Sequence, residues 1–564
     1  MPLKPIFDKA PLTAMTSQSL CAGMVRADHV KLRQLYQMIA ADESPAALEG
    51  AFRLSCLLHT EPAEGEAAAR IRRALANQKE DGSFDLPLSD AVAVLRACWA
   101  LYECEARKPL LEHIARWCGW AAQNWETLMT DDAIWANPAE LLELLEQLYR
   151  VTGKAALLTM VERLSQQTMN WAGVLNTLSV QRPTSRSTAR EELETSLGIE
   201  NGSREGYYTH FVRVNSPEKL ADGARACMAR GWATGSATEL NAARSGWEKL
   251  ARYHGAICGG LTSDELLEGT TPSAAVSAAA LGAWAEAMCA ASADRNGDWV
   301  WDALERMACN AIPAAIGETA LNDLQRVNCL KAVAGCDDCF RVEADHVRRA
   351  LQRMARGCAA LAHSAVTARP DGFGVNLYIP GRYQVPVGDG LLVLTLREGE
   401  GRCTIHVNCK QDVKAVARLR MPAWARSAEV AINGMESDAG RDCAQGYMTI
   451  ERTWHDGDVI TVALEETLRV LDGHHQGKYV MKGAKLMCLP VEGLWAYALL
   501  GCTMANGVVT AQLDAVKDWQ AKGDVPADVP VLPAPSGEEA VKAELVPYAE
   551  AGARIALFPG RKQA

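Results

Sequence analysis

The stretch YHGAICGGLTSDELLEGTTPSAAVSAAALGAWAEAM, residues 253–288, places an acidic loop between two apolar segments. The Gly259-Gly260 pair predicts the end of one helix, and a long Ala-rich helix is predicted after Pro272. Three carboxylates lie in the loop between them: Asp264, Glu265 and Glu268. Carboxylates on a loop framed by buried helices are typical of catalysis in an all-helical enzyme. Acidic residues in a first helical turn are also favoured by the helix dipole alone, so this second interpretation stays open.

The composition bounds the possible functions. A length of 564 residues predicts about two to four domains. The hydrophobic and charged fractions, 49% and 23%, are typical of a soluble globular protein. The net charge of -11 and the scattered basic residues argue against a nucleic-acid or anionic-membrane surface. No apolar run is long enough to cross a bilayer, and the first residues, MPLKPIFDKAPL, lack the apolar centre of a signal peptide.

The cysteines predict a reducing, cytoplasmic environment. There are 18, and most stand singly on apolar helical faces, where a thiol behaves as a small hydrophobe. Examples are Cys56, Cys98, Cys118 and Cys227. The pair in CDDCF, Cys336 and Cys339, invites a metal-binding interpretation, but no second pair follows at a standard spacing. Plain thiols in a loop are therefore the favoured interpretation, and no cofactor is predicted.

From about residue 30 to residue 365, apolar residues recur at three- and four-residue steps. Short polar turns such as Thr152-Gly153-Lys154 separate the predicted helices. Helical hairpins repeated over this length fit a closed (α/α) toroid or an open solenoid. Irregular loop lengths and the polar loop at 182–208 favour a closed barrel for residues 1–365, with functional loops at one end.

After residue 366 the pattern changes to alternation. GLLVLTLREGEGRCTIHVNC, residues 390–409, alternates apolar and polar side chains, and turns are predicted at Asn433-Gly434 and Asp456-Gly457. Residues 366–518 are therefore predicted to form an antiparallel β-sandwich. Residues 519–564 are predicted to be a linker followed by strands that return to the sandwich.

Several motifs in this second half resemble one family. LRMPAWARSAEVAING (419–434), GYMTIERTWHDGDVITVAL (446–464) and GKYVMKGAKLMCLPVE (477–492) resemble the C-terminal region of glycoside hydrolase family 127. LVPYAEAGARIALFP (545–559) is similar to the tail of the same family, which β-L-arabinofuranosidases typify. The resemblance implies an (α/α) barrel followed by a β-sandwich, and a glycosidase activity.

The resemblance also implies site residues. GGLTSDELLEG (259–269) is similar to the loop that carries the general acid/base, a role that falls on Glu268. THFVRV (209–214) resembles a motif whose histidine, here His210, lines the sugar pocket. Further candidates for substrate binding are Tyr208, Glu49, Glu140 and Trp135. Trp232 is another tryptophan near a predicted loop. The alternatives are a structural histidine at 210 and core packing for the tryptophans.

The family's zinc site is predicted to be absent. In the family, a Glu-x-Cys pair and a Cys-Cys pair hold zinc, and one of those cysteines is the nucleophile. Here the first pair falls near Ala274 and Val276 and the second near Val342-Glu343. Glu343 could therefore serve as a second carboxylate beside Glu268. A separation of about 5–5.5 Å would make the enzyme retaining, and about 6.5–9.5 Å inverting. The alternative is that Glu343 is a surface residue of a helix.

The predicted function is that of a metal-independent glycoside hydrolase acting on short oligosaccharides or glycosides. A catalytically degenerate relative that binds sugar or a protein partner is the first alternative, and a sugar lyase or epimerase on the same toroid is the second. The predicted partner is a small carbohydrate, with no nucleic acid and no membrane. A homodimer is left open.

Overall fold

The computed structural model describes most of the chain from residue 30 onward. The described ranges are 30–58, 62–177, 216–262, 267, 269–270, 275–292, 297–322, 324–327, 344–399, 401–437, 443–444, 446–474, 477–490, 503–505, 508–510, 545–552 and 554–559.

The described first half of the chain is helical. Its α-helices are α1 (Val30–Ala40), α2 (Pro45–Leu58), α3 (Glu66–Ala76), α4 (Leu88–Glu105), α5 (Lys108–Gln123), α6 (Trp125–Thr130), α7 (Asp132–Ala136), α8 (Ala139–Thr152), α9 (Ala155–Gln167), α10 (Trp171–Thr177), α11 (Pro217–Thr234), α12 (Ala237–His254), α13 (Ala278–Ala291), α14 (Trp301–Arg306), α15 (Ile312–Ala315) and α16 (Ala344–Ser364). A π-helical turn, Met307–Ala311, joins α14 to α15.

Among the described helices, α2, α4, α8, α11, α13 and α16 form a closed inner ring. Each packs against the next in that order, and α16 returns to pack against α2. Outer helices lie against this ring, with α1 on α2 and α16, α3 between α2 and α4, and α12 on α11. The return contact between the last and first inner helices closes the barrel, which confirms the toroid and excludes the open solenoid.

The Ala-rich helix begins at Ala278 rather than directly after Pro272. Ser277 caps it, because its hydroxyl accepts a hydrogen bond from the Ala280 N–H at 3.5 Å. The preceding residues form strand β1 (Ala275–Ser277), which pairs antiparallel with β2 (Leu324–Arg326). The serine cap therefore sets the start of α13, and Ala275 and Val276 before it have the extended backbone of β1.

Two glycines let α13 and α16 pack closely. A Cβ built on Gly357 would lie 2.4 Å from the Gly282 carbonyl oxygen, and a Cβ on Gly282 would lie 2.4 Å from the Arg353 carbonyl oxygen. Both obstacles are backbone atoms of the neighbouring helix, so a side chain cannot be accommodated by a rotamer change.

Gly357→Ala is expected to lower the free energy of unfolding by about 1–3 kcal/mol, because α13 and α16 would be forced apart. The matched control is Gly119→Ala on the exposed face of α5, where a Cβ meets nothing within 4 Å. That control is expected to stabilise the protein by about 0.5–1 kcal/mol. Urea unfolding followed by circular dichroism measures both, and equal effects of the two substitutions would contradict the packing argument.

The second half of the chain is formed by β-strands. They are β3 (Val366–Arg369), β4 (Gly372–Val375), β5 (Gly381–Val387), β6 (Gly390–Gly399), β7 (Arg402–Cys409), β8 (Val413–Arg420), β9 (Ala428–Ile432), β10 (Met435–Ser437), β11 (Cys443–Ala444), β12 (Tyr447–Trp454), β13 (Val459–Leu464), β14 (Leu468–Asp472), β15 (Gly477–Lys482), β16 (Lys485–Pro490), β17 (Thr503–Ala505), β18 (Val508–Thr510), β19 (Val546–Pro547), β20 (Arg554–Ile555) and β21 (Phe558–Pro559).

Two of the sheets form the predicted sandwich. Their strand orders are β10-β9-β13-β7-β6-β5 and β11-β12-β8-β4-β3, and every pairing is antiparallel except that of β4 with β8. Alternate residues of β6 are fully buried: Leu392, Leu394 and Leu396. The turn between β9 and β10 has positive φ angles at Asn433 and Gly434, 53° and 79°, which confirms the turn predicted at these two residues.

A third sheet, β14-β15-β16-β19, also takes in the last strands of the chain. Strand β20 pairs with β16, and β21 pairs with β15. The sheets dock on the segment formed by α14 and the π-helical turn. Asn310 accepts a hydrogen bond from the Leu486 N–H at 2.7 Å, and Arg420 pairs with Asp302 and Glu305 at 2.6 and 2.7 Å. Within the described ranges, no helix has the length and hydropathy needed to cross a membrane.

Candidate functional site

Charged side chains from all the inner helices meet inside the ring, and we call this set the lumen network. Its acidic members are Glu49, Glu140, Glu143, Glu218, Asp222 and Glu286, and its basic members are Arg96, Arg225, Arg353 and Arg356. A buried charge is tolerated only when it is paired and hydrogen-bonded, so the network has to be satisfied internally.

Arg96 of α4 joins three inner helices. It donates from Nε to Glu49 Oε2 of α2 at 2.8 Å and from Nη2 to Glu286 Oε1 of α13 at 3.0 Å. Its Nη1 donates to Glu143 of α8. A single guanidinium therefore holds carboxylates from both sides of the ring, which its planar set of five donors makes possible.

Arg353 and Arg356 of α16 complete the network across the lumen. Arg353 donates to Glu218 Oε1 at 2.9 Å and to Asp222 Oδ2 at 2.5 Å, both on α11. Arg356 Nη1 donates to Glu140 Oε1 of α8 at 2.6 Å. These residues are far apart in the chain, and only closure of the ring brings them together.

The arginines determine the protonation state of the acidic members. Burial alone would raise the pKa of Glu49 and Glu140, but the nearby guanidinium groups outweigh it and hold both pKa values well below the usual range. For Glu218, burial again raises the pKa and nearby cations, Arg353 foremost, lower it, so that the pKa is about 2. These carboxylates are ionised hydrogen-bond acceptors near neutral pH, so they are unsuited to donate a proton as a general acid.

Two predicted substrate-binding residues, Glu49 and Glu140, thus face the lumen. Both Glu49 oxygens accept hydrogen bonds from arginines, at 2.9 Å from Arg53 and 2.8 Å from Arg96, and its side chain is 6% exposed. Glu140 is more accessible, with 23% of its side chain exposed and Oε1 bonded to Arg356. Of the two, Glu140 is better placed to accept a hydrogen bond from a sugar hydroxyl.

Trp135 and Asn137 lie just before α8, at the end of the ring where the inner helices begin. The Asn137 amide nitrogen donates to Asp222 Oδ2 at 2.7 Å, which fixes this segment against α11. Trp135 is half-buried in α7, and its carbonyl accepts from the Met169 N–H at 3.2 Å. Its position suits stacking on a sugar face at this rim.

Trp232, the other candidate tryptophan, does not lie beside Trp135. It lies near the end of α11, where the Arg150 guanidinium is 5.8 Å from its ring centroid. Arg150 is itself in the last turn of α8. The start of α8 contacts α11 through Asn137 and Asp222, and the end of α8 contacts the end of α11 through Arg150 and Trp232. The two helices are therefore parallel. Trp232 is therefore at the opposite end of the ring from Trp135.

The acidic loop is anchored on both sides by described residues. Leu267 is fully buried, and the Gly269 N–H donates to His254 Nδ1 at 3.0 Å. Thr262 forms an isolated bridge with Val276 of β1, directly before α13. The loop therefore lies at the start of an inner helix. The remaining predicted site residues, Glu268, Glu343, His210 and Tyr208, lie outside the described residues, as do Cys336 and Cys339.

Of the positions that the resemblance assigns to the zinc site, the structure describes residue 276, which does not fit a zinc ion. Val276 stands where the resemblance places a cysteine ligand; it is fully buried, and its aliphatic side chain has no ligand atom. In the part of the chain that the structure describes, no group of three or more histidine, cysteine, aspartate or glutamate side chains has metal-binding geometry. Burial raises the pKa of Cys358, a described thiol of α16, to about 12, which keeps it protonated.

Sequence reasoning missed most of the lumen network. It selected Glu49 because a charge in an apolar helix must find a partner, but the same signal was present elsewhere. Arg96 is the only charge in AVAVLRACWAL (91–101) and Glu286 the only charge in ALGAWAEAMCAA (280–291). A lone charge in a fully buried helix therefore marks the inner face of this ring.

Comparison with known proteins agrees with this architecture. The family described as "Beta-L-arabinofuranosidase, GH127 middle domain" matches residues 372–466. Among curated proteins, no sequence matches the chain. A GH127 β-L-arabinofuranosidase from Geobacillus stearothermophilus T6 superposes with a TM-score of 0.61 at 16% identity, covering 94% of each chain.

Two further structures are similar over almost their whole length. A protein described as a glycoside hydrolase has a TM-score of 0.68 at 13% identity, covering 99% of this chain and 100% of its own. A GH127 β-arabinofuranosidase has a TM-score of 0.61 at 12% identity, covering 99% and 98%. These likenesses establish the fold, an (α/α) barrel followed by β-sheets, and the structures that share it are glycoside hydrolases.

Proposed function

Because the chain contains the GH127 middle domain and has the fold of GH127 β-L-arabinofuranosidases, we propose that it is a glycoside hydrolase of short oligosaccharides or glycosides. In this proposal Glu268 is the general acid/base, Glu343 is the second carboxylate, and no zinc takes part. The furanoside specificity of the family is carried over as part of the proposal.

The adjacency of three inner helices carries the proposal. The Trp284 indole of α13 donates to the Pro217 carbonyl at the start of α11, at 3.0 Å, and α13 packs on α16 through Gly282. The chain segment that enters α11 contains His210, the one that enters α13 contains Glu268, and the one that enters α16 contains Glu343. Candidate residues that are distant in sequence thus belong to segments that lead into neighbouring helices.

The side chains near the lumen suit the binding of a polar substrate. The Glu140 side chain is 23% exposed, and the side-chain amide oxygen of Asn137, Oδ1, is buried without a hydrogen-bond partner. Such groups suit sugar hydroxyls, which both donate and accept, and Trp135 offers an aromatic face. Since the lumen carboxylates are already ion-paired, acid/base chemistry falls to residues outside the lumen network.

The proposed chemistry needs only two carboxyl groups. Glu268 would protonate the glycosidic oxygen as the bond to the anomeric carbon breaks, and Glu343 would either attack that carbon or activate a water. The valine at the family's cysteine position supports a mechanism without a metal-bound thiolate. A reducing, cytoplasmic location is part of the same proposal, supported by described cysteines that are all free thiols.

A substrate panel tests the proposal. The purified protein is incubated with aryl furanosides and pyranosides of both anomers, before and after dialysis against a chelator. We expect release of the aryl alcohol from at least one furanoside, at a rate unchanged by chelation. Loss of activity on chelation that zinc restores would contradict metal independence, and a product absorbing near the ultraviolet band of an unsaturated sugar would indicate a lyase.

One observation favours a second candidate function, that of a sugar-binding relative without catalysis. The lumen network neutralises carboxylates that a glycosidase could otherwise use, and it does so with four buried arginines. This candidate predicts glycoside binding by calorimetry with no turnover across the whole panel. Sedimentation of the same preparation shows whether the protein forms a homodimer.

A further inference from the structure

His254 is a fully buried histidine that contacts the acidic loop. It is the last residue of α12, and its side chain has no exposed surface. Its Nδ1 accepts the Gly269 N–H at 3.0 Å, and both atoms are buried. Gly269 directly follows Glu268 in the chain.

Thr262 completes the attachment on the other side of the loop. Its N–H donates to the His254 carbonyl at 2.7 Å, and its hydroxyl lies within hydrogen-bonding distance of the His254 and Gly269 carbonyl oxygens. The residue itself is 1% exposed. His254, Thr262 and Gly269 therefore form one buried cluster at the base of the loop, at the start of inner helix α13.

We propose that His254 is the positioning residue of the acidic loop and sets the location of Glu268 through its hydrogen bond to the neighbouring Gly269 amide. This inference rests on the proposed role of Glu268. The Gly269 N–H belongs to the peptide unit that joins Gly269 to Glu268, so a hydrogen bond to it holds that peptide plane in place. Displacement of a catalytic group by about 1 Å can lower the rate by about 100-fold.

The bond requires a particular form of the imidazole. A ring nitrogen that accepts a hydrogen bond carries no proton, so the neutral ring bears its proton on Nε2. Asparagine places an acceptor atom close to the position of Nδ1, whereas leucine fills similar space without an acceptor. His254→Asn and His254→Leu thus separate the hydrogen bond from the packing.

The experiment combines amide exchange with kinetics. In His254→Leu we expect the Gly269 amide to exchange with deuterium at least about ten times faster than in the wild type, and kcat to fall by about 10- to 100-fold with little change in KM. The loss should be smaller for aryl leaving groups that need no protonation. His254→Asn should restore slow exchange and most of kcat.

Two further variants keep the outcome decisive. His113→Leu, which removes an outer-helix histidine bonded to Gln78 at 2.7 Å, controls for the loss of any interhelical histidine. If His254→Leu does not fold, Thr262→Val tests the same attachment with nearly the same volume. Unchanged Gly269 exchange in His254→Leu would overturn the inference. If Glu268→Gln is inactive but His254→Leu has wild-type kinetics, the inference is also overturned. If Glu268→Gln is active, the proposed function is overturned instead.

Discussion

Glu268→Gln is expected to lower kcat for glycosides with poor leaving groups by about 10²–10⁴-fold while the protein stays folded. The amide keeps the size and hydrogen-bonding capacity of the carboxyl group but has no proton to transfer. For aryl glycosides whose leaving group departs as a stable anion, the loss should be much smaller, because protonation contributes little to that step. Steady-state kinetics over a series of aryl substituents measures the difference.

Glu265→Gln is the matched control for this prediction. It makes the same chemical change three residues earlier in the same loop, and it removes the same charge. We expect it to retain nearly wild-type kcat and the same dependence on the leaving group. If Glu265→Gln were inactive and Glu268→Gln active, the general acid would be Glu265 and not Glu268. If both kept full activity, the acid would lie outside this loop.

Arg96→Met is expected to lower the free energy of unfolding by about 3–5 kcal/mol, the largest stability effect predicted for this protein. Methionine replaces the volume of the side chain but leaves Glu49, Glu143 and Glu286 without the guanidinium that now joins them. Glu49 keeps its pair with Arg53, and Glu143 and Glu286 keep theirs with Arg225, but all three carboxylates stay buried with less positive charge to compensate them. Urea unfolding at neutral pH measures it.

The control is Arg73→Met, which breaks an exposed pair with Glu66 on the surface of α3. Both partners of that pair are well exposed, so we expect a change below about 1 kcal/mol. Adding Glu49→Gln to Arg96→Met should recover part of the lost stability, because it removes one buried negative charge that Arg96 no longer helps to compensate. Equal effects of the buried and exposed substitutions would contradict the structural role of the lumen network.

Taken together, the two predictions assign stability and chemistry to different parts of the ring. The lumen network holds the inner helices through pairs such as Arg353 with Asp222, whose carboxylates and guanidiniums compensate each other. The chemistry is proposed for the segments that lead into α11, α13 and α16, which contain His210, Glu268 and Glu343. A substitution in one part can therefore be checked for its effect on the other.

Much of the fold follows from the sequence because its signals are local. Three- and four-residue periodicity predicted the helices, alternation in 390–409 predicted the strands of the sandwich, and Asn433-Gly434 predicted its hairpin turn. Each of these signals is contained in neighbouring residues and depends on the backbone geometry of a single element. The start of α13 was less well predicted, since a serine cap and a pairing with distant β2 decide it.

The sequence by itself determined that this protein has a helical half followed by a β half, with single buried charges on several helices. Only the tertiary structure decided how those charges pair. Arg96 meets Glu286 and Arg356 meets Glu140 across intervals of 190 and 216 residues. Such partners are chosen by closure of the ring, which is set by helix packing and by close contacts such as Gly282 with Gly357, and no local pattern records it.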